Sequence, residues 1–334
     1  MLRILMRARR AGLMLMSALL GASVTVHAQP ASPPAAVTQA PLQEIVIEGR
    51  HEGPRMWTVR EGEHTLWILG TISPLPKKLV WQPDAVRAVL RQTQEVVPAW
   101  PTYGIGANPF TALRVYIEWR HLQKPPDNLP LSQTLPPQLY ARVEALKNRY
   151  DAKDSKLEQM RPMLAARQLI TRVFDAAGLA QHNEVQEEVL HLARAQDVRV
   201  HQDRLRIDDP VNVLKDVSHA PLDREVACLA SVVTLLETDI APMQARAQAW
   251  ALGDVETLRR LSRADDRTAC IAAVSNSERV RKLIAQAQDD WLIAVEDSLN
   301  RNRGTLAVQS MDRLLGEHGA LAALRAKGYS VEGP

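Results

Sequence analysis

MWTVREGEHTLWILGTISPLPK, residues 56–77, decides how the chain is read. Two runs rich in β-branched and aromatic residues flank Glu61-Gly62-Glu63. The glycine supplies the turn, so 56–70 reads as a hairpin. The second run then meets Gly70-Thr71 and turns through Pro74 and Pro76. A strand that stops this way presents backbone and side chains to solvent, a common place for chemistry. Ser73 stands there.

Outward from the hairpin, helical spacing begins at Asp84, just after Pro83, and predicts a helix over 84–94 with Val86, Val89 and Leu90 on one face. Glu95-Val96-Val97 reads as a second core strand, stopped by Pro98, and EIVIEG at 44–49 as a short strand. The middle is helical. The segment 109–121 has Leu113, Ile117 and His121 in step, and 136–149 opens on two prolines. A long helix over 156–177 is broken at most near Pro162 and capped at Gly178. The spacing continues over 183–196, 221–238, 241–251, 254–263 and 276–299, with a short strand at 198–201. GTLAVQ at 304–309 reads as a strand, 317–327 as a helix closed by Gly328, and 329–331 as a last strand. Strands near both ends and helices between them predict an α/β (α+β) fold. A small mixed central sheet is built from both ends of the chain and covered by the helices of about 109–300.

The first 28 residues read as an address. MLRILMRARR carries four Arg and no acid, an apolar run follows, and Val26-His27-Ala28 offers small residues at a cleavage site. A secretory signal peptide over 1–28, a Pro/Ala-rich flexible linker over 29–43 and one domain over 44–334 are expected, in a periplasmic or secreted protein with no membrane span after cleavage. Cleavage leaves 37 Lys+Arg against 38 Asp+Glu, a net charge of −1. The basic pI therefore belongs mostly to the leader, and no electrostatic case for nucleic acid remains. Cys228 and Cys270 are the two cysteines. In an oxidising compartment they read as a disulfide worth about 3–4 kcal/mol, or else as two buried thiols.

LWILGT at 66–71 and GTLAVQSMDRLLGEHGALAALRAKGYSVE at 304–332 resemble the TraB/GumN family, as do LEQMRPMLAARQLI at 157–170 and ARAQAWALGDVETLRRL at 245–261. That family is similar to the Tiki-type proteins, proposed metal-dependent proteases. The resemblance implies a Gly-x-x-His after an early strand, a second after a late one, and acids nearby. Imidazoles and carboxylates meeting at strand ends can hold a divalent ion and activate water. Here the first motif is Gly70-Thr71-Ile72-Ser73 and the second is Ser310-Met311-Asp312-Arg313. The acid implied after the first helix falls near Ala99 or Trp100, and a middle acid falls at Asp203. A hydroxyl is a poor ligand for zinc-type ions, and a guanidinium has no lone pair to give. The expectation is a binding cleft of Gly70, Thr71, Ser73, Asp203, Asp312 and Arg313, with no metal ligands and no cofactor. The protein is then a catalytically degenerate relative that binds a peptide, a glycan or an envelope protein. The alternative is a hydrolase in which His318 activates Ser73, although no Gly-x-Ser-x-Gly elbow is present and Pro74 follows directly.

Other clusters read more blandly. Glu187, Glu188 and His191 share a helix face that is either a partial metal site or a solvated surface. His201 and Asp203 alternate on a short strand. Asp208-Asp209-Pro210 and Asp265-Asp266 read as helix boundaries. Trp57, Trp67, Trp81 and Trp100 line either a cleft or the core.

Overall fold

A computed structural model describes residues 53–99, 102–105, 108–151, 156–180, 183–202, 204–261, 268–315 and 319–333. The expected leader, linker and 44–49 strand lie outside them. The described residues belong to one compact unit.

The chain opens with the hairpin. β1 (Met56–Glu61) and β2 (His64–Thr71) pair antiparallel, and Gly62 takes the positive φ of 57° that the tight turn requires. α1 (Asp84–Leu90) buries Val86, Val89 and Leu90, then stops short of the expected end. Thr93 Oγ1 donates to the Val89 carbonyl at 2.9 Å, and the chain turns into β3 (Glu95–Val97). β4 (Thr102–Ile105) follows.

The helical middle then runs through α2 (Pro109–Leu122), α3 (Leu131–Thr134), α4 (Pro137–Arg149) and α5 (Pro162–Ala176). The expected 156–177 helix is divided at Pro162. A proline is favoured at the first helical position, where its missing N–H has no partner to lose. Upstream there is only a 3₁₀ turn over Leu157–Gln159. α6 (Glu184–Ala195), β5 (Arg199–Val200), β6 (Arg204–Ile207) and α7 (Pro210–Ser218) come next. α8 (Leu222–Thr238), α9 (Ile240–Ala251), α10 (Val255–Leu261), α11 (Thr268–Val274) and α12 (Glu278–Arg301) complete the middle. The chain closes with β7 (Gly304–Ser310), α13 (Met311–Leu315), α14 (Ala320–Ala326) and β8 (Ser330–Glu332).

The main sheet has the order β5-β3-β7-β2-β1-β8. β5, β3, β7 and β2 are mutually parallel, and β1 runs against β2 and β8. β7, from the end of the chain, is thus buried between β3 and β2. It reads as a parallel-sheet core strand, with six of its seven residues buried. β4 and β6 pair separately as a two-stranded parallel sheet, which the sequence reading did not foresee.

The apolar interior falls into two clusters. One packs helices on the sheet around Trp57, Ile68, Leu69, Val97, Trp250, Trp291 and Val308. The other joins α4, α5 and α8 through Leu139, Val143, Leu169, Val173, Leu229 and Val233. Within the second, Cys228 of α8 is disulfide-bonded to Cys270 of α11. Arg161 and Glu225 form a buried bidentate ion pair there, and Arg161 also donates to the Ser218 carbonyl at 2.9 Å. Among the described residues no single helix is long and apolar enough to cross a membrane.

Candidate functional site

β2 and β7 leave the sheet side by side. Their register pairs Thr65 with Gly304 and continues to Thr71 with Ser310. The two motifs singled out in the sequence, 70–73 and 310–313, therefore emerge from adjacent parallel strands at one carboxyl edge. In parallel sheets this edge is where ligands are usually held.

Gly70 is fixed by space and by a hydrogen bond. A Cβ there would sit 2.2 Å from Met311 Sδ and 2.9 Å from a Trp57 ring carbon. Its carbonyl accepts from Trp250 Nε1 at 2.7 Å. Thr71 is buried and already engaged. Its Oγ1 donates to the Gln309 carbonyl at 3.4 Å and accepts from Asn183 Nδ2 at 3.0 Å. Ser73 is exposed and precedes a cis peptide to Pro74. The loop beyond it is tied to the end of α5. Ala180 N donates to the Leu75 carbonyl at 2.7 Å and Lys77 N to the Gly178 carbonyl at 2.9 Å. Lys77 Nζ also bonds Asp175 at 2.5 Å.

On the β7 side, Ser310 N donates to Gln309 Oε1 at 2.9 Å, while Ser310 Oγ is enclosed without a hydrogen-bond partner. Asp312 is ion-paired with Arg246 Nη2 of α9 at 3.1 Å, and Arg313 is half-buried. Ala99, where the resemblance implies an acid, is buried, and its N–H donates to Gln186 Oε1 at 2.8 Å. Gly70, Thr71, Ser73, Asp312 and Arg313 thus lie at or just beyond one edge. His318, Asp203, Trp100, Asp265 and Asp266 lie outside the described residues, so the Ser73–His318 pairing has no geometry to report.

Among the described residues the donors at this edge do not fit a metal ion. Ser73 offers a neutral hydroxyl, Arg313 a permanent cation, Thr71 an oxygen already in use, and Asp312 a carboxylate committed to a guanidinium. Among the described residues no three His, Cys, Asp or Glu side chains converge on one point.

The other clusters resolve locally. His191 is exposed, 3.9 Å from Glu188, on the outer surface of α6. Asp209 caps α7, accepting from Asn212 N at 3.3 Å. Trp57 lies in the core, and Trp81 packs edge-on against Trp250 at 5.7 Å. Trp67 is half-buried and forms one wall of a cleft of about 680 Å³ between the hairpin and α1, with Arg55 and Glu332 on its rim.

The sequence reading missed one polar centre. Glu95 opens β3 opposite Thr305, at the other end of β7 from Ser310. It is buried and receives Asn302 Nδ2 at 2.9 Å, His201 Nδ1 at 3.0 Å, and Arg199 and Arg301, each at 3.1 Å. Burial alone would raise its pKa. Hydrogen bonds from Asn302, His201, Arg199 and Ser298 outweigh that and hold it at about 2. A charged residue opening an otherwise apolar strand was the available signal.

The TraB/PrgY/gumN family model matches residues 55–333. No curated protein and no solved structure matches the chain.

Proposed function

Because the chain belongs to the TraB/PrgY/gumN family, we propose that it is an exported, catalytically silent member that works by binding. One observation carries the reading. The adjacent ends of β2 and β7 present Ser73 and Arg313 at the positions where the family resemblance implies metal-binding histidines. Replacing an imidazole by a guanidinium changes what such an edge attracts. A cation is repelled, and an anion gains a charge-assisted donor. The occupant proposed is a peptide, a glycan or an envelope protein. The Arg-rich leader and the Cys228–Cys270 bond support export to an oxidising compartment.

The test is elemental analysis of the protein purified without chelator, combined with hydrolysis assays on peptides and esters. Metal well below one equivalent and no turnover are expected. Stoichiometric zinc, manganese or cobalt, or hydrolysis abolished by Ser73→Ala or His318→Ala, would overturn the proposal.

A further inference from the structure

The cleft between the hairpin and α1 has a floor, two walls and an unpaired charge. The register sets Thr58 of β1 opposite Trp67 of β2 and, on its other side, opposite Glu332 of β8, so the three side chains rise from one face of the sheet. Trp67 is seated against Gly304, where a Cβ would lie 3.1 Å from its ring carbon Cζ3. The first wall is α1. It contributes Ala85 and Ala88, and these small side chains leave a space of about 680 Å³ beside the indole. The second wall is Gly53-Pro54-Arg55. Gly53 has a φ of 83°, and a Cβ there would stand 2.5 Å from the Gln82 carbonyl oxygen. The Arg55 stem lies across Gly253, whose own Cβ would come 2.9 Å from Arg55 Cγ. This wall is therefore built in advance, on positions that suit only glycine.

The polar groups say what fits. Among the described residues lining the cleft, Arg55 and Glu332 are the charged ones. Glu332 is held by Arg60 at 2.7 Å, which neutralises it. Asp84 and Arg87, on the same helix as Ala85 and Ala88, pair with each other at 3.1 Å. Arg55 has no counter-ion among the described residues, so the charge left for an occupant is one guanidinium. The Thr58 hydroxyl and the Trp67 indole N–H likewise have no hydrogen-bond partner among the described residues. One aromatic ring, no second ring facing it among those residues, and hydrogen-bonding side chains around its border match a sugar, which has an apolar C–H face and a rim of hydroxyls. A fork of N–H donors without a partner matches a carboxylate on that sugar. An extended peptide is the poorer match, because the floor consists of side chains on a sheet face and offers no free backbone ladder to join.

We infer that this cleft is a binding site for an acidic oligosaccharide, with Trp67 stacked against a sugar ring and Arg55 holding the sugar carboxylate. No residue of 70–73 or 310–313 lines it, so the inference stands whether or not the β2–β7 edge binds a partner.

The test is isothermal titration of the full chain, at one fixed ionic strength, with tetragalacturonate, tetramannuronate and neutral maltotetraose. At least one of the two uronates is expected to bind, and maltotetraose to bind about tenfold more weakly. Arg55→Gln should weaken uronate binding about tenfold and leave the neutral sugar unchanged. Trp67→Leu should weaken both. Because Trp67 also packs against Gly304, Ala88→Phe serves as a second variant: it fills the cleft and leaves Trp67 and Arg55 in place. It should abolish binding while the urea midpoint stays close to that of the unmodified protein. No binding of either uronate, equal affinity for maltotetraose, or binding that survives both Arg55→Gln and Ala88→Phe would overturn the inference. Uronate binding lost in Arg313→Gln but kept in Ala88→Phe would also overturn it, assigning the sugar to the β2–β7 edge instead.

Discussion

Glu95 gives the most quantitative prediction. Its carboxylate is enclosed by Asn302, His201, Arg199 and Arg301, and its pKa falls from 4.5 to about 2. A depression of that size is worth roughly 3 kcal/mol of folding stability. The sign follows from proton counting. Between about pH 2 and 4.5 the unfolded chain binds a proton at this residue and the native chain does not. The stabilisation is therefore complete above pH 4.5 and is lost as the pH falls toward 2. Glu95→Gln keeps the shape and removes the charge, leaving His201, Arg199 and Arg301 without their carboxylate. Urea unfolding followed by tryptophan fluorescence should show the variant less stable by about 3 kcal/mol at pH 7. The gap should narrow through the acidic window and nearly close at its lower end. Parallel stability curves for the two proteins from neutral to acid pH would refute the reasoning, because the carboxylate would then titrate alike in both states.

Two further perturbations address the helical core. Glu225→Gln strands the Arg161 guanidinium among apolar side chains and should cost about 3–5 kcal/mol, whereas Arg161→Met with Glu225→Leu should recover most of it. A double-mutant cycle by denaturant unfolding checks this, and additive losses would contradict it. Cys228→Ala with Cys270→Ala opens a cross-link between residues 42 apart, with an expected loss of about 3–4 kcal/mol, read as a lower urea midpoint. An unchanged midpoint would mean that α8 and α11 hold together without the bond.

The hairpin was legible because Gly62 interrupts two β-rich runs, and β7 because GTLAVQ is too short and apolar to be anything but a buried strand. The carboxyl edge followed from those two elements. β4 was not legible, because TYGI carries a glycine and no alternation; RLRI of β6 alternates, but only over four residues. Glu95 was overlooked because family resemblance directs attention to the carboxyl edge, at Ala99 and Trp100, while this acid sits at the amino end of the same strand. α2 shows a different limit. The step of Leu113 and Ile117 correctly gives a helix, but periodicity defines a face without saying where it points. Here Val115 and Leu122 face α7, while Phe110, Leu113 and Ile117 are exposed.

The seating of β7 between β3 and β2 also bears on how the protein is made. A ribosome must reach residue 310 before the segment that begins at residue 64 can acquire its parallel neighbour. Contacts that distant in the chain form late, since a long loop has to close before they contribute anything. Until Gly304–Ser310 is synthesised, the hairpin and the β3–β5 pair lack the strand that joins them into one sheet. A premature stop anywhere upstream of Gly304 thus removes the centre of the architecture rather than trimming its margin.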